Sequence, residues 1–203
     1  LNGIIAWGTN DGSSNSGALY EWNFLAETKY IFGWYGDTYR LDNAFSNRTI
    51  DGSIILDNSR GTILQSNVND VAMTVLPNAP IDADTGLPVP TIAVATHGGT
   101  SVITDSGNVY DISGFSPTTS IEFYGSKLAF STEVSSTAYI TVGSSTLSSD
   151  IQVGLWRDSK GEYNSSGTQG IEVLKDMADH LAYGDAIYSA GVTGLTAIDH
   201  NEV

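Results

Sequence analysis

Asp82-Ala83-Asp84-Thr85-Gly86 sets two carboxylates two residues apart, just ahead of a glycine. Alternating carboxylates can converge on one hard cation, and glycine permits the sharp turn that brings them together. Asp82 and Asp84 are therefore the candidate calcium ligands, and calcium is the one cofactor the residues point to. A full calcium loop of the EF-hand type would carry a bidentate glutamate at its twelfth position, which here is Ala93. The competing reading is an Asx-type turn, in which the aspartate binds its own backbone.

Other catalytic constellations are missing from the sequence. His97, His180 and His200 show neither H-x-H nor i, i+4 spacing, so zinc is unsupported. There is no G-x-S-x-G elbow, no Walker loop and no G-x-G-x-x-G. The 23 acidic residues offer many carboxylate pairs for glycosidase chemistry and single out none. The expectation is a non-enzymatic protein. Aromatic residues are the other group with a chemical use. Trp22, Tyr30, Trp34, Tyr35 and Tyr39 crowd the first fifth of the chain. Exposed Trp and Tyr stack on sugar rings or anchor protein interfaces; buried, they fill the space between sheets. Trp34, Tyr35 and Tyr39, around the Gly36-Asp37 turn, are the candidates for glycan or partner contact.

These residues must be held by β-structure. Hydrophobic residues make up 40% of the 203 and aromatics 10%, enough for a core. Only 15% are charged, and the polar remainder is rich in Ser, Thr, Asn and Gly, which suits strands and tight turns. The net charge of −15 repels phosphate backbones and anionic membranes, so neither nucleic acid nor membrane insertion is expected. With no cysteine, a disulfide framework and a thiolate metal site are excluded. No run approaches the roughly 18 apolar residues of a membrane span. The chain enters an apolar strand at once, without an initiating Met, and reads as a segment of something longer.

Alternation and turn residues predict hairpins at 3–24, 30–41, 53–64, 91–104, 120–142, 151–163 and 180–198. Residues 77–90 hold four of the five prolines and read as a loop between strands within one all-β domain spanning 1–203. The segment 170–178 alone has helical spacing, with Ile171, Leu174, Met177 and Ala178 on one face, although it is short and its Val and Ile also fit a strand. One phrase recurs: Ile5-Ala6-Trp7-Gly8-Thr9, Ile92-Ala93-Val94-Ala95-Thr96, Leu128-Ala129-Phe130-Ser131-Thr132 and Leu181-Ala182-Tyr183-Gly184-Asp185. Its alanines stand 87, 36 and 53 positions apart. A strand-only repeat near 40 to 45 residues predicts a β-propeller or partial propeller of antiparallel hairpin blades; a β-sandwich or jelly roll is the alternative. The uneven spacing marks 143–149 and 158–170 as inserted loops where function could reside.

Asn69-Asp70-Val71-Ala72-Met73, the run from Pro88 through the His97-Gly98-Gly99 turn to Ile103, and residues 4–24 resemble the repeats of WD40-like β-propellers in bacteriophage virion proteins, tail and tail-fibre components in particular. The likeness covers about half the chain. The Trp-Asp dipeptide of WD40 repeats does not occur, since Trp7, Trp22, Trp34 and Trp156 precede Gly8, Asn23, Tyr35 and Arg157. The resemblance implies a virion structural protein that acts as a rigid scaffold. Its implied partners are other virion proteins, further copies of itself and a host surface glycan. A secreted carbohydrate-binding module or propeller glycosidase is the alternative. Ile103-Thr104-Asp105-Ser106-Gly107-Asn108-Val109-Tyr110 is similar to the Asp-box of sialidase-type propellers but lacks its Ser and Thr and has Tyr for Trp.

Overall fold

The computed structural model describes residues 1–10, 12, 17–34, 36–41, 54–114, 116–124, 127–134 and 137–144, then the strands between 151 and 199. Side chains are described as far as 132, except at 34, 124 and 127.

The fold is all-β. The first sheet runs β1 (Ile4–Thr9), β2 (Ala18–Asn23), β3 (Thr28–Trp34), β4 (Asp37–Leu41) and β5 (Ile54–Leu56), each strand antiparallel to the last. The second is a meander of β6 (Val68–Thr74), β7 (Thr91–Thr96), β8 (Gly99–Ile103) and β9 (Val109–Ser113). The third contains β10 (Thr118–Tyr124), β11 (Lys127–Val134) and β12 (Thr137–Ser144). Next come β13 (Ile151–Gln152), parallel to β9, and a hairpin of β14 (Gly154–Arg157) and β15 (Tyr163–Ser166). β16 (Glu172–Leu174) joins β12. The last sheet is β17 (His180–Tyr183), β18 (Ala186–Gly191) and β19 (Gly194–Asp199).

Turn chemistry sets these hairpins. Asn23 Oδ1 accepts from Leu25 N and Ala26 N, each at 3.0 Å, and starts the β2–β3 turn. Thr96 Oγ1 donates to Gly99 O at 2.8 Å across the β7–β8 turn. At the β8–β9 turn, Gly107 N donates to Thr104 O at 2.8 Å and Gly107 takes φ 84°, a left-handed conformation that suits glycine. That turn is braced by Thr104 and Ser106, whose hydroxyls lie 2.9 Å apart.

The sheets stack as layers. Leu19 and Phe32 of the first sheet meet Val68, Ile92, Val94 and Ile103 of the second, with Ile63 wedged between them. On the opposite face of the second sheet, Ala72, Ala93, Ala95, Val102 and Ile112 meet Ile121, Phe123, Leu128 and Phe130 of the third. Every residue of β7 and β8 is consequently buried, and no polar alternation shows in Thr91–Thr96. The second sheet is thus covered on both faces, which a two-layer sandwich does not provide, and no closed ring of sheets forms among the described residues. The opening strands of successive meanders lie side by side: β6 beside β1, β10 beside β6, β17 beside β10. Among the described residues, no strand of the last sheet pairs with the first.

Two expectations are corrected. The 170–178 helix is replaced over Glu172–Leu174 by a strand, which β12 recruits through the pairs Ile140–Leu174 and Val142–Glu172. A short β-branched segment follows the sheet edge it meets. The 53–64 hairpin does not form either. β5 pairs back onto β4, Asn58–Arg60 make a single 3-10 turn, and 62–64 cross to the second sheet without pairing. Side chains replace the ladder there: Gly33 N donates to Thr62 Oγ1 at 3.0 Å, and Leu64 N to Ser101 Oγ at 2.8 Å.

The recurring phrase follows a rule that the strand order alone does not show. It lies on β1, the first strand of its sheet, but on β7 and β11, the second strands of theirs. Its orientation is nevertheless constant. The large residues of the second and third copies, Ile92 with Val94 and Leu128 with Phe130, face the preceding sheet. Ala93 and Ala95 face the following sheet, and Ala6 does the same from the first copy. Gly8 shares the Ala6 face, and a Cβ there would sit 2.0 Å from Val68 Cγ1, so only glycine lets β6 cross so close.

Candidate functional site

The first sheet turns one face to the second sheet and the other outward. Directly opposed residues in an antiparallel pair share a face. The pairs Ile5–Trp22, Trp7–Tyr20, Tyr20–Ile31, Trp22–Lys29, Ile31–Tyr39, Lys29–Leu41, Tyr39–Leu56 and Leu41–Ile54 therefore build one outward surface across five strands. It is apolar and aromatic apart from Lys29. Trp7 stacks on Tyr20 at 5.1 Å and 11°, and Trp22 meets Trp7 edge-on at 5.0 Å. Phe24, in the β2–β3 turn, packs edge-on to Trp22 at 6.1 Å. Lys29 Nζ lies 5.1 Å from the Trp22 ring, a cation–π contact. Ile5 is 52% exposed, Leu56 58% and Phe24 43%, while the Trp7, Tyr20 and Trp22 rings are half-buried.

Of the aromatic residues singled out from sequence, Tyr39 and Trp22 belong to this surface. Tyr30 faces the other way, into the layer shared with the second sheet. Trp34 closes β3, but its side chain lies outside the described residues, as does all of Tyr35. The loops 143–149 and 158–170 fall mostly outside them too. Trp7 and Tyr20 belong to the surface and were not singled out. Their signal was parity: Trp7, Tyr20 and Trp22 register together once β1 and β2 are paired.

On the inner face, Arg60 is the most heavily engaged charge. Its guanidinium carbon lies 4.4 Å from the Tyr30 ring and 5.1 Å from the Phe32 ring. Nη1 donates to Glu21 Oε1 at 3.3 Å; Nη2 sits 3.3 Å from Oε2, off line for a hydrogen bond. Nε donates to Gly107 O at 2.9 Å, in the β8–β9 turn of the second sheet. Glu21 is only 7% exposed. This group ties two layers together, and Glu21 also lines a groove of about 210 Å³ shared with Asp82 and Asp84.

Asp82 and Asp84 stand at the tip of the 77–90 loop, which is closed by an Ile81–Pro88 bridge. Asp82 Oδ1 accepts from Thr85 N at 2.8 Å and Asp84 N at 3.1 Å, and Gly86 takes φ 68°. This is Asx-turn geometry. Asp84 is exposed, and among the described residues no three His, Asp or Glu side chains group to hold a metal. The Thr85 hydrogen bonds hold the Asp82 carboxyl below its usual pKa. A depressed folded-state pKa stabilises the turn above the unfolded value of about 3.9, and that support is lost as pH falls through the folded value. The Thr85 amide resonance is expected to titrate with a midpoint below that of a free aspartate, and Asp82→Ala to abolish the titration. Millimolar calcium is expected to leave the melting temperature unchanged if Asp82 serves the turn alone; an upward shift that Asp84→Ala removes would establish the calcium reading.

A polar seam runs along the opening strands. Asp70, at the bulge in β6, accepts through Oδ2 from Ser120 Oγ and Ile121 N of β10, each at 3.0 Å. Asn69 Nδ2 donates to Thr118 O at 2.6 Å, and Asn10 Nδ2 to Asn69 Oδ1 at 2.8 Å. A groove of about 390 Å³ beside this seam is lined by Asn10, Val68, Asn69, His97, Pro117 and Thr119. His97 is its one histidine, sited in the exposed β7–β8 turn. Burial raises the pKa of Glu122, on the face of the third sheet turned away from the second. Among these residues, polar side chains are spent on joining strands. Comparison with protein-family models, with curated proteins and with solved structures finds no match.

Proposed function

We propose that this chain is a non-enzymatic structural protein of a virion, a phage tail or tail-fibre component, in which stacked sheets form a rigid scaffold. The single observation that carries the reading is the use made of the buried polar groups. Arg60 with Glu21 and Asp70 with Ser120 each fasten one sheet to the next. Such groups stiffen a stack, whereas a catalytic site needs them free to meet a substrate. The phage assignment itself rests on the resemblance of the 69–73, 88–103 and 4–24 segments. An antibody against the recombinant chain should decorate the tails of purified particles in negative stain. Label confined to the soluble fraction, with bare particles, would overturn the assignment.

A host-glycan adhesion role, or a secreted carbohydrate-binding module, is favoured by one observation, the exposed aromatic surface of the first sheet. Sugar platforms need open ring faces. Trp7 and Tyr20 each spend one ring face on the other, which lowers their value to a glycan and suits a protein partner better.

A further inference from the structure

We infer that the outward face of the first sheet is a docking surface for a second copy of this chain, which enters with its C-terminal sheet. The constant orientation of the recurring phrase carries the inference. In the second sheet, Ile92 and Val94 are covered by the first; in the third, Leu128 and Phe130 are covered by the second. Ile5 and Trp7 occupy the same positions of the phrase on β1, and their side is the one turned outward. Among the described residues, the sheet order therefore leaves no layer there, on the side where the second and third copies of the phrase have one. The occupant this geometry calls for is another sheet of the same build. The chain itself supplies one, since the phrase occurs a fourth time at Leu181-Ala182-Tyr183-Gly184-Asp185, whose first three residues lie on β17 of the last sheet.

The dimensions suit a modest interface. Five strands about 4.8 Å apart and six residues of about 3.3 Å give a face of roughly 24 by 20 Å. That is at the small end of specific protein interfaces, so association should depend on concentration in the ordinary laboratory range. The contact is heterologous, one end of a copy against the other end of the next. It builds rows unless the rotation happens to close them. The net charge of −15 opposes such rows at low salt, so added salt should strengthen them by screening.

The test is sedimentation velocity of the full chain across a hundredfold concentration range, at low and high salt. The mass is expected to rise with concentration and to rise further with salt. Ile5→Lys with Leu56→Lys, both at exposed positions, should keep the melting curve and hold the chain at the monomer mass. Should that pair lose its melting transition, Leu56→Lys alone, on the short outer strand, makes the same test. A wild-type chain that stays monomeric throughout overturns the inference. So do lysine variants that associate as the wild type does, and soluble oligosaccharides that quench Trp fluorescence of a persistent monomer. The inference extends the scaffold reading but fails separately from it. Bare particles with self-associating chains would sink the virion assignment and leave the docking surface standing.

Discussion

Replacing Arg60 with Met is expected to destabilise the fold by about 3–5 kcal/mol, the range for breaking one partner out of a buried ion pair. Met keeps much of the stem volume, so the loss reports the charge and its contacts. Glu21, 7% exposed, would be left as an uncompensated buried carboxylate. The stacking on Tyr30 and Phe32 would vanish with it, as would the bond to Gly107 O that reaches into the second sheet. Chemical denaturation should show the midpoint falling sharply. Glu21→Gln in the Arg60→Met background should recover part of the loss, since it removes the stranded charge. A single-variant loss under about 1 kcal/mol would place this pair among ordinary surface ion pairs.

Phe130→Ala should cost roughly 3–5 kcal/mol, and Ile5→Ala less than about 0.5 kcal/mol. Both are large residues of the recurring phrase, so the contrast isolates the environment. Phe130 is completely buried against the second sheet, where the neighbouring backbone cannot close the cavity. Ile5 stands on the outward face at 52% exposure. Equal effects in a chain kept monomeric would mean that the outward face is covered after all.

Much of the fold was legible because its hairpins carry local signals. Gly36-Asp37 and His97-Gly98-Gly99 announce turns, and the alternation in Ala18–Asn23 announces a strand with one face inside. The phrase at Ile92 revealed repetition, though not orientation, since which side of a strand meets which neighbour is a long-range fact. β7 could have passed for any buried strand; only the two flanking sheets explain why no residue of it is exposed. Arg60 escaped notice for a similar reason. It lies 39 residues from Glu21 and 47 from Gly107, and nothing beside it in the chain predicts either partner. Tyr30 and Tyr39 looked alike in composition, yet their parity on β3 and β4 sends one inward under a guanidinium and the other outward. The 57–64 stretch misled because its apolar residues resemble a return strand, while Asp57 Oδ1, accepting from Ser59 N at 3.2 Å, starts a 3-10 turn instead.

The double-sided burial of the second sheet also fixes how the molecule comes apart. Layers that touch only their neighbours lose order one boundary at a time, as in a linear array of coupled units. An outer layer can detach by giving up one boundary; the second sheet must give up two. Amide hydrogens of Ile92–Ala95 and Thr100–Val102 should then exchange with solvent only through global opening, while those of Ile54–Leu56 exchange through local fraying. Bound deuterium would be retained longest in the middle of the stack, and the chain's slowest clock would be β7.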